Sequence, residues 1–274
     1  HSRDTVRQGA SGVSYVGRWL DVGEFSAGVQ KATYRRTVDY PTRASALTRA
    51  YPWLYNATLA IQASNRLTVY AGYTRGLEDS AIAPENATNP GEASGATLTK
   101  QIDAGVRFRL APGTTLVAGV FEVKKPYFDR DALSLFTRVG TLSHRGVEVS
   151  VSAAPLPDLK IVAGAMLLKA RVDGATVQQG LIAATPPGRP PAIARLNANY
   201  APQSWRGLSF TSQLSFEDAH YANRLNTVKI SKQTTLDVGA RYTFAIRNAI
   251  ASLRFDVQNL NNSYIWTVNP VSGQ

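Results

Sequence analysis

A period of two runs through almost the whole chain, and few folds accommodate it. In 253–257, Leu253, Phe255 and Val257 alternate with Arg254 and Asp256. In 104–110, Ala104, Val106, Phe108 and Leu110 alternate with Gly105, Arg107 and Arg109. The same rhythm holds in 67–73, 147–151 and 236–244, and in 208–216 with Ser212 as its one polar break. Successive side chains of a strand point to opposite faces, so each segment has one apolar and one polar face.

Twelve strands are expected, at roughly 12–20, 25–36, 51–62, 66–75, 99–110, 114–125, 142–154, 159–171, 191–201, 207–217, 232–244 and 249–260. No segment reads as a convincing helix. Residues 42–61 hold a possible helical stretch, but Pro52 interrupts it.

The connections alternate in length. Short ones fall at Asp21–Glu24, Ser64-Asn65, Ala111–Gly113, Leu156–Asp158, Pro202–Arg206 and Ile246–Asn248, with turn chemistry or tight-hairpin length. Long ones cover about 37–50, 76–98, 126–141, 172–190 and 218–231. A meander with short turns at one end and long loops at the other is the pattern of an outer-membrane barrel. The strands reach the ~10 residues that a tilted membrane-spanning strand requires. Trp19, Tyr51, Trp53, Tyr200, Trp205, Tyr242, Phe244, Tyr264 and Trp266 gather near strand ends, where interfacial girdles need amphipathic rings. Two other architectures share the alternation: a soluble β-rich binding protein, and a smaller passive porin closing on its twelve strands.

Composition narrows the function classes. The 274 residues are 44% hydrophobic and 18% charged, which is not the balance of a disordered chain. No apolar run approaches the ~20 residues of a membrane helix. With no cysteine there is no disulfide, thiol nucleophile or cysteine metal site. His1, His144 and His220 lie far apart, without metal-ligand spacing, and no nucleotide or hydrolase signature stands in context. The chain therefore reads as a non-enzyme without cofactor. The net charge of +11 suggests an anionic partner. Nucleic acid is a poor account of it, because the arginines are dispersed at strand parity rather than clustered with exposed aromatics.

Specific motifs add a family. Asp256-Val257-Gln258-Asn259-Leu260-Asn261-Asn262-Ser263-Tyr264 resembles the penultimate-strand signature of TonB-dependent outer-membrane receptors, with the Tyr one residue early. His144-Arg145-Gly146-Val147-Glu148 resembles the Arg-Gly-Val-Glu strand of the siderophore-receptor branch, and a Pro-Leu-Pro-Asp-Leu turn follows at 155–159. The hairpin from Gly105-Val106-Arg107-Phe108 to Lys124-Lys125-Pro126, and Tyr70–Gly76, are similar to the same family.

The resemblance implies an all-β, antiparallel up-and-down transmembrane barrel. About twelve strands of a 22-stranded barrel would be present, with 1–274 as one partial barrel domain and the N-terminal plug absent. One missing final strand makes the first strand here the tenth of 22, which should run inward to a short turn. Asp21–Glu24 supplies one. The implied function is uptake of a ferric siderophore across the outer membrane of a Gram-negative bacterium. TonB would energise it through the missing N-terminal region, with outer-membrane lipid and lipopolysaccharide as surroundings.

The resemblance also places ligand contacts in the long external loops, where Arg charge and aromatic stacking can hold an anionic, partly aromatic chelate. The candidates are Arg36, Tyr40 and Arg43, with Arg49 beside them; Tyr127, Phe128 and Arg130, with Arg138; Arg189; and His220, Tyr221 and Arg224. Each also fits a solvated loop residue or a contact to lipopolysaccharide phosphate. Arg107, Arg109, Glu148, Arg195, Asp237, Arg241, Arg254 and Asp256 are expected to face the lumen, since a lipid-facing Arg costs ~2–4 kcal/mol near the midplane.

Overall fold

A computed structural model describes residues 3–19, 22–41, 44–79 and 81–268. The strands are β1 (Arg3–Trp19), β2 (Gly23–Asp39), β3 (Ala46–Ala50), β4 (Trp53–Ser64), β5 (Leu67–Glu78) and β6 (Thr97–Ala111). They continue as β7 (Thr114–Arg130), β8 (Phe136–Leu156), β9 (Leu159–Asp173), β10 (Ala192–Tyr200) and β11 (Leu208–Glu217). Then come β12 (His220–Tyr221), β13 (Lys229–Ile230), β14 (Gln233–Ile246) and β15 (Ala249–Val257). A single helical turn, α1 (Ala175–Gln178), sits between β9 and β10. All strands but β12 and β13 form one antiparallel sheet of 13 in chain order, with β3 paired beside β2.

Every one of the twelve expected strands is present. The stretch 42–61 is strand rather than helix where it is described. β3 and β4 are one strand interrupted at Tyr51-Pro52, both pairing with β2. Proline has no N–H to donate there, but its carbonyl accepts from the Ala32 N–H at 3.0 Å.

Register separates the two faces. Leu67, Phe108, Leu116, Val151, Ala163, Leu196, Leu214 and Leu236 are successive partners from β5 to β14. The adjacent row, one residue along, is Thr68, Arg107, Val117, Ser150, Gly164, Arg195, Ser215 and Thr235. One row is wholly apolar and its neighbour is mostly polar. The apolar row starts beside the short turn of β5 and ends near the far end of β14, so the strands are tilted relative to the row, as barrel closure demands. All eight charges expected in the lumen share the polar face by this parity.

The apolar face is uncovered. Leu167, Leu253 and Phe255 are 63%, 66% and 70% exposed. Burying such a side chain is worth roughly 1.5–3 kcal/mol, so a face this greasy calls for an apolar cover, and hydrocarbon supplies one along the whole sheet. No helix among the described residues is long and apolar enough to cross a membrane; a wall of this kind crosses with strands. The two outermost strands, β1 and β15, do not pair with each other, so the described sheet is open. That departs from the small self-closing porin, whose first and last strands must meet.

The ends of the sheet differ. Tight turns close one end, as at Pro112-Gly113, where φ of 74° at Gly113 suits a residue without Cβ. At the other end the expected long loop 126–141 is mostly strand. β7 runs to Arg130 and β8 starts at Phe136, leaving Asp131–Leu135 as the connection. Asp131 Oδ1 closes it by accepting the N–H of Leu133 at 2.9 Å and of Leu135 at 3.0 Å. Tyr127, Phe128, Arg130 and Arg138 are therefore strand residues. So are Arg36 on β2 and Arg49 on β3, while His220 and Tyr221 form one side of the β12–β13 hairpin.

Candidate functional site

Two external loops fold onto the projecting β7–β8 hairpin. Ala81, Ala83 and Ala87, from the β5–β6 connection, pack with Phe128 and Phe136. Val177 and Ile182, from the β9–β10 connection, pack with Tyr127, Val139, Leu142 and Val172. Between the loops lies a cavity of about 320 Å³ on the polar side of the sheet. Its wall is Arg36, Glu78, Thr97, Lys125, Tyr127, Phe128 and Leu142; Asp79, Ala81 and Ile82 border one side, and Pro186, Pro187 and Arg189 the other.

The charges differ in how they are occupied. Arg36 is 7% exposed. Its Nε and Nη2 donate to the two oxygens of Asp4 at 3.1 and 2.5 Å, and its Nη1 lies 3.3 Å from Asp79 Oδ2. Tyr34 also donates to Asp79. Lys125 Nζ donates to Glu78 Oε2 at 2.7 Å, and the Thr99 hydroxyl donates to the same carboxylate. Burial raises the Glu78 pKa, but these two donors outweigh it and hold the group below the usual carboxylate range. Arg189 donates only to the Gly188 carbonyl, at 3.2 Å, and forms no ion pair among the described residues. Among those residues, its positive charge is the one the lining leaves uncompensated. Beside it, burial first and the Asp129 charge second push the Tyr127 phenol up to about 12, so it stays a protonated donor.

Arg36, Tyr127 and Phe128, named from sequence, meet in this cavity. Tyr221 and Arg224 act one layer behind it. The Gly188 N–H donates to the Tyr221 carbonyl at 2.8 Å, and the Ala183 N–H to the Arg224 carbonyl at 2.8 Å. Arg224 also donates to Asp129 at 2.8 Å and to the carbonyls of Arg130 and Leu181 at 3.3 and 3.2 Å. The hairpin thus holds the loop that presents Pro186, Pro187 and Arg189. His220 is buried, its Nδ1 3.2 Å from the Asp218 carbonyl. Tyr40 donates to the Gly91 carbonyl at 2.7 Å, and Arg130 reaches the Asn86 carbonyl at 3.5 Å; neither lines the cavity. Arg43 lies outside the described residues. Glu78, Thr97 and Lys125 were not candidates on sequence grounds. Continuing the inward parity of Val117, Gly119 and Phe121 along β7 would have reached Lys125.

The profile of the TonB dependent receptor-like β-barrel family matches residues 11–260. The chain belongs to that family. It is 26% identical over 210 residues to the ferrichrome receptor FcuA of Yersinia enterocolitica, covering 73% of this chain and 27% of that one. Its fold superposes with a TM-score of 0.76 on BauA, the ferric preacinetobactin receptor from Acinetobacter baumannii. That match has 25% identity and covers all of this chain and 41% of the other. The siderophore receptor PiuA from the same organism shares the fold at a TM-score of 0.73 and 14% identity, with 94% and 39% covered. The chain thus spans well under half the length of these relatives. Set in that family, its polar face is the barrel interior and its long-loop end the external mouth.

Proposed function

We propose that this chain forms part of the wall and external capture site of a siderophore-type TonB-dependent receptor in a Gram-negative outer membrane. Residues 1–274 are then one partial barrel domain, and TonB energises transport in the complete protein. The observation that carries the reading is the loop-bounded cavity on the polar face, with the spare Arg189 charge beside Tyr127 and Phe128. Arg189 can pair with a negative group, while the rings cover a flat or apolar part of the same ligand. That chemistry suits an anionic iron chelate bearing aromatic or amide groups, and FcuA and BauA are by name receptors for ferric chelates.

Uptake of radiolabelled iron supplied as a panel of anionic chelates tests it, in cells whose only ferric receptor is the complete product of this gene. Uptake of at least one chelate, dependent on TonB and reduced in Arg189→Gln, is expected. Uptake of none, or uptake indifferent to TonB, would overturn the reading.

A further inference from the structure

His144 stands beneath the capture cavity without lining it. On the polar face of β8 it is one position further into the barrel than Leu142, and Leu142 lies in register between Lys125 on β7 and Val172 on β9. The partners of His144 itself are Val123 and Ala170, so no polar side chain stands opposite it in the sheet. Its outward-facing neighbours, Ser143 and Arg145, are polar, which puts it beyond the apolar band, at the external border. The ring is half-buried, and its Nε2 is buried with no hydrogen-bond partner among the described residues.

Three charges face this imidazole: Lys125 from β7, Glu78 from β5 and Arg189 from the loop between β9 and β10. Val123 on β7 and Leu168, Ala170 and Val172 on β9 add none. Burial first, then Arg189, then Lys125 push the imidazole down to about 4, against a smaller upward pull from Glu78. The two cations are not equivalent. Lys125 is already compensated by Glu78 at 2.7 Å, whereas Arg189 forms no ion pair among the described residues. The larger Coulomb opposition to a charged His144 is therefore the charge that an anionic ligand would neutralise.

We propose that anion capture at Arg189 is linked to protonation of His144: a bound anion draws a proton onto the buried ring, and the protonated ring tightens the hold on the anion. The two effects are equal in size, because linkage between two binding events is reciprocal. With the anion bound, His144 takes up its proton at a higher pH than without it. Between those two midpoints the complex carries more protons than the free protein, so affinity rises as pH falls, by at most about tenfold per pH unit for one proton. Above the upper midpoint and below the lower one, His144 adds no pH dependence. Glu78, held below the usual carboxylate range, keeps its charge over the upper part of this window and goes on neutralising Lys125. The inference rests on the reading of the cavity as an anion-capture site, but not on the identity of any cargo.

The probe is sulfate, a dianion whose own charge does not change across this range. The complete product of the gene, in detergent micelles and isotopically labelled at histidine Cε1, is titrated by NMR, with His144→Gln identifying the signal. The expected midpoint in the free protein is about 4. Saturating sulfate should raise the proton affinity of His144 roughly threefold or more over chloride at equal ionic strength, since an opposite charge nearby favours the charged form. Arg189→Gln should raise it with no anion present and abolish the response to sulfate. A midpoint that sulfate leaves in place, one that Arg189→Gln leaves in place, or a sulfate response that survives Arg189→Gln would each overturn the proposal. Failure of the capture reading looks different: the complete receptor then takes up no chelate, whatever His144 does, whereas failure of the linkage leaves iron uptake intact.

Discussion

Arg224 Nη1 donates to Asp129 Oδ1 at 2.8 Å across 95 residues of sequence, and this pair ties the β12–β13 hairpin to the tip of β7. The Asp129 side chain is 9% exposed, and its Oδ2 accepts no hydrogen bond among the described residues. A carboxylate so placed depends on its one cation. Arg224 Nη2 donates to the carbonyls of Arg130 and Leu181, so the same guanidinium fixes the loop that carries Arg189.

Arg224→Gln leaves a buried carboxylate unpaired, a change that costs roughly 3 kcal/mol when both partners are well desolvated and less here, where Arg224 is partly exposed. The expected result is faster amide hydrogen exchange confined to residues 181–189, with the strands of the wall unchanged. Asp129→Asn combined with Arg224→Gln removes the stranded charge and should restore part of the protection, as a double-mutant cycle would show. Unaltered exchange in the single variant would mean that the Arg224 side chain is dispensable and that the loop is held by its backbone bonds to Tyr221, Arg224 and Val172 and by packing on Tyr127 and Val172.

Acidity provides a second check. The folded pKa of Glu78 is depressed, so its link to Lys125 contributes stability in full above the ordinary carboxylate range and loses it as pH falls through the depressed value. In the complete protein, the Glu78 side-chain carboxyl carbon, followed by NMR, should titrate with a midpoint below that of an ordinary glutamate. Lys125→Met removes a main donor and leaves the burial, which by itself raises the pKa, so the midpoint should move upward. No movement would deny the Lys125–Glu78 contact its role in shaping the cavity floor.

The motif that suggested the family also makes a stability claim. At Asn259 the alternation ends because side-chain amides take over the ladder. Asn261 Nδ2 donates to the Thr234 carbonyl at 2.8 Å, and its Oδ1 accepts the Leu236 N–H at 3.0 Å. Asn259 has φ of 51° and both donates to and accepts from the Ser263 backbone, at 2.8 and 2.9 Å. Asn259→Gly keeps the left-handed backbone and loses the amide; Asn259→Ala loses both. Thermal unfolding followed by heat-dependent mobility on gels should rank wild type above Gly above Ala, with Asn261→Ala lowered by about 1–3 kcal/mol for the unpaired ladder groups. Equal melting of the Gly and Ala forms would show that backbone handedness at 259 is immaterial.

What could be read from sequence, and what could not, follows from where water and lipid lie. Inside the membrane band, parity forces each residue to one solvent or the other, so the contrast between Leu253 and Arg254 is enough to assign both faces of β15. Beyond the band both faces of a strand are wet or covered by loops, and the alternation fades. That is why 126–130 and 136–141 read as loop although β7 and β8 run through them. Tyr127 and Phe128 were legible as aromatic residues near a binding end. Glu78 and Lys125 were not legible as a pair, because 47 residues separate them and only the sheet register brings them together. The place of Arg189 was equally hidden, since Tyr221 and Arg224 determine where its loop rests.

The sharpest trial of the two-sided wall uses neighbours one peptide bond apart. Val149 lies on the apolar face, 41% exposed, with Ala118 and Ala165 as its partners. Ser150 lies on the polar face, opposite Val117 and Gly164. A lipid-facing arginine costs ~2–4 kcal/mol at the midplane and less toward the interfaces. Val149→Arg should therefore lower the stability of the membrane-embedded protein by roughly 2 kcal/mol. Ser150→Arg, facing a wet interior beside the open backbone of Gly164, should lower it by well under half as much. Equilibrium unfolding in phospholipid vesicles measures both, and the comparison is internal because the two positions share one strand and nearly one depth. A soluble sheet, its apolar face packed against protein and its polar face open to water, would give the same order, but it would stay folded in detergent-free buffer, where a membrane wall does not. Equal costs at the two positions would mean that neither face of β8 meets hydrocarbon, and the membrane wall would have to be abandoned together with the capture site built upon it.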